Sequence, residues 1–188
     1  MMKRDECFRV LARHLGDEIV IPVYSAAFDW LALAPRALNN YSFGAMGLGS
    51  SLGLGVALGR PDRRVIVLDG DGSLLMNLGS LVTIAAAAPK NLVHFVCNNG
   101  CYEANGGHPI PNPKVDFTGL ARSAGYAQCH EFSELRPFEQ QIGQVLEQEG
   151  PVLATLRIEK GVLSPEVNYR TLDDPQKRKD FRAALQQA

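Results

Sequence analysis

The order of elements along the chain predicts an α/β fold, a doubly wound parallel sheet with helices on both faces. Two observations carry that expectation. Short, almost wholly apolar runs at 18–22, 64–68, 92–98 and 152–158 alternate with longer stretches of helical character. Strands buried on both faces read as such unbroken apolar runs. Two of the runs also end in polar, turn-forming groups, Gly70-Asp71-Gly72-Ser73 and Asn98-Asn99. Open α/β sheets bind their ligands beyond the carboxyl ends of the strands, where these groups lie.

Taken in order, an amphipathic helix at 7–15 leads into the first strand at 18–22. A second helix, 26–33, ends before Pro35, because the residue preceding a proline is pushed out of the helical region. An extended piece at 40–43 enters a glycine-rich helix at 46–58, and Gly59-Arg60-Pro61-Asp62 turns the chain into the strand at 64–68. A helix at 74–88 stops at Pro89, the strand at 92–98 follows, and a loop rich in proline and glycine runs to Val115. The pattern then reads helix at 117–124, extended at 127–130, helix at 135–148 and extended at 152–158. With no internal repeat or linker, residues 1–188 read as a single domain with a charged tail from about 160. The glycines of Gly47-x-Gly49 and Gly53-x-Gly55 miss the G-x-G-x-x-G spacing of a dinucleotide site and fall inside a predicted helix. Close packing explains them better.

The two strand ends suit a particular ligand. Asp71 can offer a charged oxygen, Asn99 a neutral amide oxygen, and Cys101 its main-chain carbonyl. Hard oxygens of this kind are what Mg²⁺ takes, in a shell of about six completed by water and phosphate oxygens. Gly70 and Gly72 allow a tight turn with close backbone approach. Ser73 is a suitable cap for a helix whose free N–H groups would face an anion. Metal and diphosphate are therefore expected together.

The stretch GDGSLLMNLGSLVTIAAAAPKNLVHFVCNNG resembles the cofactor motif of thiamine diphosphate enzymes, and YSFGAMGLGSSLGLG resembles their pyrimidine-cradling segment. The resemblance implies the thiamine diphosphate-binding fold, with thiamine diphosphate and Mg²⁺ as cofactors. It implies that Asp71, Asn99 and Cys101 hold the metal, while Gly70, Gly72, Ser73 and Asn99 meet the diphosphate. The Gly44 carbonyl would accept from the pyrimidine amino group, and Met46 would wedge under the cofactor to hold it bent. Downstream, NNGCYEANGGHPIPNP is similar to the loop of the sulfopyruvate and phosphonopyruvate decarboxylases, so that the resemblance spans about residues 17–159. His108 stands where that group usually has Gln, Ile110 where it has Thr, and Pro22-Val23-Tyr24 replaces an Asn-containing turn.

The implied activity is decarboxylation of a small 2-oxoacid. The alternatives are a carboligase of acetolactate-synthase type, a 2-oxoacid oxidoreductase subunit, or a non-catalytic cofactor-binding subunit. His108 and Lys114 are candidates to meet a second anionic group of the substrate. Glu103, close to the metal turn, is a catalytic candidate beside His108 and is otherwise expected as a solvated loop carboxylate. Enzymes of this family complete each site with a second domain that supplies a glutamate to the pyrimidine. The 188 residues match only the diphosphate half, so a glutamate-bearing partner subunit is expected, in a hetero-oligomer with two or more copies of each chain.

Composition narrows the setting. A net charge of −1 with mixed signs gives no basic stripe for nucleic acid. The N-terminal Met-Met-Lys-Arg-Asp-Glu lacks an apolar signal core, and no run is long enough to span a membrane. Cys7, Cys97, Cys101 and Cys129 lack C-x-x-C spacing, which argues against zinc ribbons and iron–sulfur clusters and for a reduced, cytoplasmic protein. The charged stretch 173–182 reads as a solvated helix face or a docking tail.

Overall fold

The structure, a computed structural model, describes residues 1–161 and 168–186. Its elements in chain order begin with α1 (Arg4–Ala12), β1 (Ile19–Pro22), α2 (Ser25–Leu33), α3 (Gly49–Gly59) and β2 (Val65–Gly70). Next come α4 (Asp71–Leu75), α5 (Ser80–Ala87) and β3 (Leu92–Asn98). A small hairpin follows, β4 (Cys101–Tyr102) and β5 (His108–Pro109), with a 3₁₀ turn at Glu103–Asn105 between them. The chain continues through α6 (Phe117–Ala124), β6 (Gln128–Phe132), α7 (Leu135–Glu147), β7 (Val152–Arg157), α8 (Tyr169–Leu172) and α9 (Pro175–Gln186).

Five strands form one parallel sheet in the order β1-β2-β3-β7-β6. Alternate residues of the same apolar run feed opposite cores, as a period of two requires. Val20, Ile66, Leu68, Val93, Phe95 and Ala154 pack under α1, α2 and α7 with Phe8, Trp30 and Phe138. Ile19, Ile21, Val65, Val67, Val96 and Leu153 pack on the other face with Ala57, Leu81, Ile84 and Phe117. Both faces are covered, and the expected doubly wound sheet is present. The extended piece at 40–43 is also found: Ser42 donates to Pro22 and accepts from Tyr24, running parallel to the end of β1.

Three expected helices differ, the first of them, placed at 7–15, running instead over Arg4–Ala12. The one placed at 46–58 starts at Gly49, and the one placed at 74–88 is two helices, α4 and α5, separated by turns at 76–79. Tertiary bonds explain the break, since Asn77 donates its amide to the Gly47 carbonyl at 2.9 Å and Ser50 bonds to Ser80 at 2.9 Å. Glycine explains how α3 lies so close to the sheet. A Cβ on Gly49 would sit 2.2 Å from Val23 Cγ2, and one on Gly53 would sit 2.3 Å from Val67 Cγ2.

The charged tail is partly docked. Residues 162–167 lie outside the described residues, but Leu172 is buried against Ala27, Phe28 and Leu31. Phe181 of α9 joins the core under α3, α5 and α6, and Arg60 donates to the carbonyl of Leu185. The stretch 173–182, expected as a solvated helix face or a docking tail, thus lays Phe181 on the domain.

Candidate functional site

Parallel alignment of β2 and β3 puts Gly70 opposite Cys97, so both chains leave the sheet side by side. α4 begins at Asp71 with no intervening loop. The Asp71 side chain is buried, and its two oxygens tie the exits together: Oδ1 accepts from Gly72 N and Oδ2 from Gly100 N, each at 2.7 Å. The Gly72 amide, expected to face an anion, is therefore turned to Asp71. Asn99 Oδ1 accepts from Cys101 N at 3.0 Å, closing the neighbouring turn. Spacing alone brings a carboxylate and a carboxamide to one place.

Electrostatics make the site unusual. Among the described residues no cation pairs with Asp71. Burial pushes its carboxyl up to about 6, against the pull of the surrounding amide hydrogen bonds, and Glu103 adds to the rise. Such a carboxylate is short of a positive charge. Among the described residues no cluster of three or more His, Cys, Asp or Glu is placed to hold a metal. A cation at Asp71 must therefore draw on Asn99, a main-chain carbonyl and oxygens brought by a ligand. This donor set fits Mg²⁺ carried by a diphosphate.

A cavity at these strand ends is lined by Met46, Gly70, Asp71, Gly72, Ser73 and Asn99, and also by Cys101 and Glu103. The sequence-predicted residues thus largely converge. Gly72 must lack a side chain here, since a Cβ would fall 2.5 Å from the Tyr102 ring. Gly44 is exposed and does not line the cavity, and His108 and Lys114 are exposed along the loop, away from its walls. Glu103 is not a solvated carboxylate. It is paired with Arg4 and accepts from Gly161 N at 2.9 Å, with its side chain 12% exposed. Burial raises the Cys101 thiol, which makes it a poor nucleophile.

Sequence reasoning missed Arg4, Tyr102, Gly47 and Asn77. Arg4 and Tyr102 reach the cavity directly, whereas Gly47 and Asn77 brace it from behind. Gly47, in the left-handed region with φ +84°, was at least flagged by the glycine-rich run. Nothing local marks Arg4 as different from its charged neighbours.

The family model described as "Thiamine pyrophosphate enzyme, C-terminal TPP binding domain" matches residues 21–155. The chain belongs to this family. This thiamine pyrophosphate-binding domain is 44% identical over 156 residues to a phosphonopyruvate decarboxylase of Streptomyces viridochromogenes, a match covering 82% of the chain and 39% of that relative. The chain thus spans about two fifths of that relative's length. It is 37% identical over 162 residues to the sulfopyruvate decarboxylase subunit beta of Methanothermobacter thermautotrophicus, covering 86% of the chain and 84% of that subunit. The benzoylformate decarboxylase of Polynucleobacter necessarius shares the fold, with a TM-score of 0.69 at 20% identity over 85% of this chain and 33% of its own. Among the described residues of the domain, no helix is long and apolar enough to cross a membrane.

Proposed function

We propose that this chain is the diphosphate-binding subunit of a two-chain, thiamine diphosphate-dependent decarboxylase of a small 2-oxoacid, of the sulfopyruvate or phosphonopyruvate type. The observation that carries this reading is Asp71, a buried carboxylate that no cationic side chain pairs with among the described residues, joined by hydrogen bonds to the turn after the next strand. The names of the relatives support the reaction type, and a subunit called beta that this chain matches over 84% of its length supports a partner.

In this reading Asp71, the Asn99 side-chain oxygen and the Cys101 carbonyl hold Mg²⁺. Gly70 and Ser73 meet the diphosphate, while Gly72, whose amide is held by Asp71, allows the close backbone approach. Ser73 Oγ accepts from Gly47 N at 3.0 Å, which leaves its hydroxyl proton to donate to a diphosphate oxygen. Met46, in the cavity wall, would wedge under the cofactor, and the Gly44 carbonyl would accept from the pyrimidine amino group once a partner completes the site. Bound thiamine diphosphate supplies the sink for the electron pair released when the 2-oxoacid loses carbon dioxide. The partner subunit contributes the glutamate that activates the pyrimidine. His108 is exposed on β5 outside the cavity wall, and in this reading it would meet the second anionic group of a substrate entering between the subunits.

The test is affinity purification of this chain from its native cell, scoring co-purified protein and bound thiamine diphosphate together. A stoichiometric partner with cofactor is expected. The complex should release carbon dioxide and aldehyde from a dianionic 2-oxoacid faster than from pyruvate. His108→Ala should raise KM for the dianionic acid more than for pyruvate. Asp71→Ala should abolish both activity and metal-dependent cofactor binding. Full activity in that variant would rule this site out as the catalytic one.

A further inference from the structure

Arg4 opens α1, yet its side chain is only 4% exposed. Its Nε donates to Asp29 Oδ2 at 2.6 Å and its Nη1 donates to Glu103 Oε2. The other oxygen of Glu103 accepts from Gly161 N at 2.9 Å. The first turn of α1, the 3₁₀ turn behind Cys101 and the chain after β7 therefore meet on one carboxylate. Gly161 fits closely there, since a Cβ would fall 3.1 Å from both Arg4 Nη2 and Glu103 Oε1.

Arg4 and Glu103 line the same cavity as Asp71, Asn99 and Cys101. A second carboxylate so near a hard cation is a competing ligand unless something holds it. A guanidinium can hold two acids at once in a fixed fork, which an ammonium cannot. On the reading of the cavity given above, we propose that Arg4 is a positioning residue for the metal turn. By pinning Glu103 it fixes the Asn99–Cys101 segment and keeps the Glu103 carboxylate out of the metal's shell.

A purely structural ion pair would lower the melting temperature of a variant and leave its metal requirement alone. The chain, purified with its partner and stripped of bound cofactor, is therefore titrated with thiamine diphosphate by calorimetry at a series of Mg²⁺ concentrations. If the wild-type complex shows no Mg²⁺-dependent binding, the proposed reading of the cavity fails first. If it does, Arg4→Met should raise the Mg²⁺ concentration for half-maximal binding by about tenfold or more, the usual effect of losing an outer partner of a metal site. The double variant Arg4→Met/Glu103→Gln should bind at lower Mg²⁺ than Arg4→Met alone, because the freed carboxylate is gone. Should Arg4→Met not fold, Gly161→Ala presses on the same contacts without removing a charge and should shift the metal requirement in the same direction. An unchanged metal requirement in the folded variant, or no recovery in the double variant, overturns the role.

Discussion

The backbone N–H of Gly47 donates to the hydroxyl oxygen of Ser73 at 3.0 Å, across 26 residues and out of contact with solvent. Asn77 returns the connection by donating to the Gly47 carbonyl at 2.9 Å. The turn that carries Met46 is thereby bolted to the helix that begins with Asp71. On the proposed reading the first segment would meet the pyrimidine end of the cofactor and the second its diphosphate, with these bonds fixing the distance between them.

Ser73→Ala removes the acceptor and leaves the Gly47 amide buried without a partner, at a cost of about 1–3 kcal/mol. Both the melting temperature and the thiamine diphosphate affinity should fall. Calorimetric titration beside a thermal melt reads both, and an unchanged affinity would show that the two segments are not coupled through this bond.

Within α3, two glycines two residues apart should respond in opposite directions. A Cβ on Gly53 would meet Val67 Cγ2 at 2.3 Å, whereas one on Gly55 would meet nothing within 4 Å. Gly53→Ala must lift the helix off the sheet and should destabilise the chain by about 1–3 kcal/mol, the usual cost of overpacking. Gly55→Ala gains helix propensity in open space and should stabilise the isolated chain by about 0.5–1 kcal/mol. Denaturant unfolding of the pair distinguishes packing from propensity.

His94 and Asp69 form a pair of fully buried side chains, with Nε2 3.3 Å from Asp69 Oδ2. Asp69 Oδ1 also accepts from Gly70 N at 2.9 Å, so the pair braces the residue that opens the turn into α4. His94→Leu strands the acid in the core and should cost about 3–5 kcal/mol, as breaking buried pairs does. The double variant His94→Leu/Asp69→Asn should recover part of that loss in denaturant melts. A single variant as stable as the wild type would show that the pair contributes nothing.

The sheet was legible because its strands are buried on both faces, so that runs such as Val65–Leu68 carry no polar residue to confuse the period. Asp71 and Asn99 were legible because strand ends are few and each was followed by turn chemistry. The interruption between α4 and α5 was not, because Asn77 and Ser80 find their partners 30 residues back along the chain, beyond the reach of local pattern. The pairing of Arg4 with Glu103 spans 99 residues and leaves no trace in either neighbourhood. Local periodicity reports which face is buried; it is silent on which charges meet.

Asp71 gives the chain a pH dependence whose sign can be worked out. Burial holds its carboxyl at about 6 in the folded chain, against 3.8 for an ordinary aspartic acid. Between those values Asp71 binds more protons in the folded chain than in the unfolded one, so its contribution to metal-free stability falls as pH rises from about 4 to about 6. The difference corresponds to a contribution on the order of 3 kcal/mol. A metal takes only the ionised form, so stabilisation by Mg²⁺ with thiamine diphosphate should run the opposite way, growing as pH rises through 6. Thermal melts from pH 4.5 to 7.5, with and without the two ligands, should therefore converge at the acid end and separate above it. In Asp71→Asn the acid-side gain of the metal-free chain should vanish along with the ligand effect. If the ligand-free slope persisted in that variant, another group would be its source.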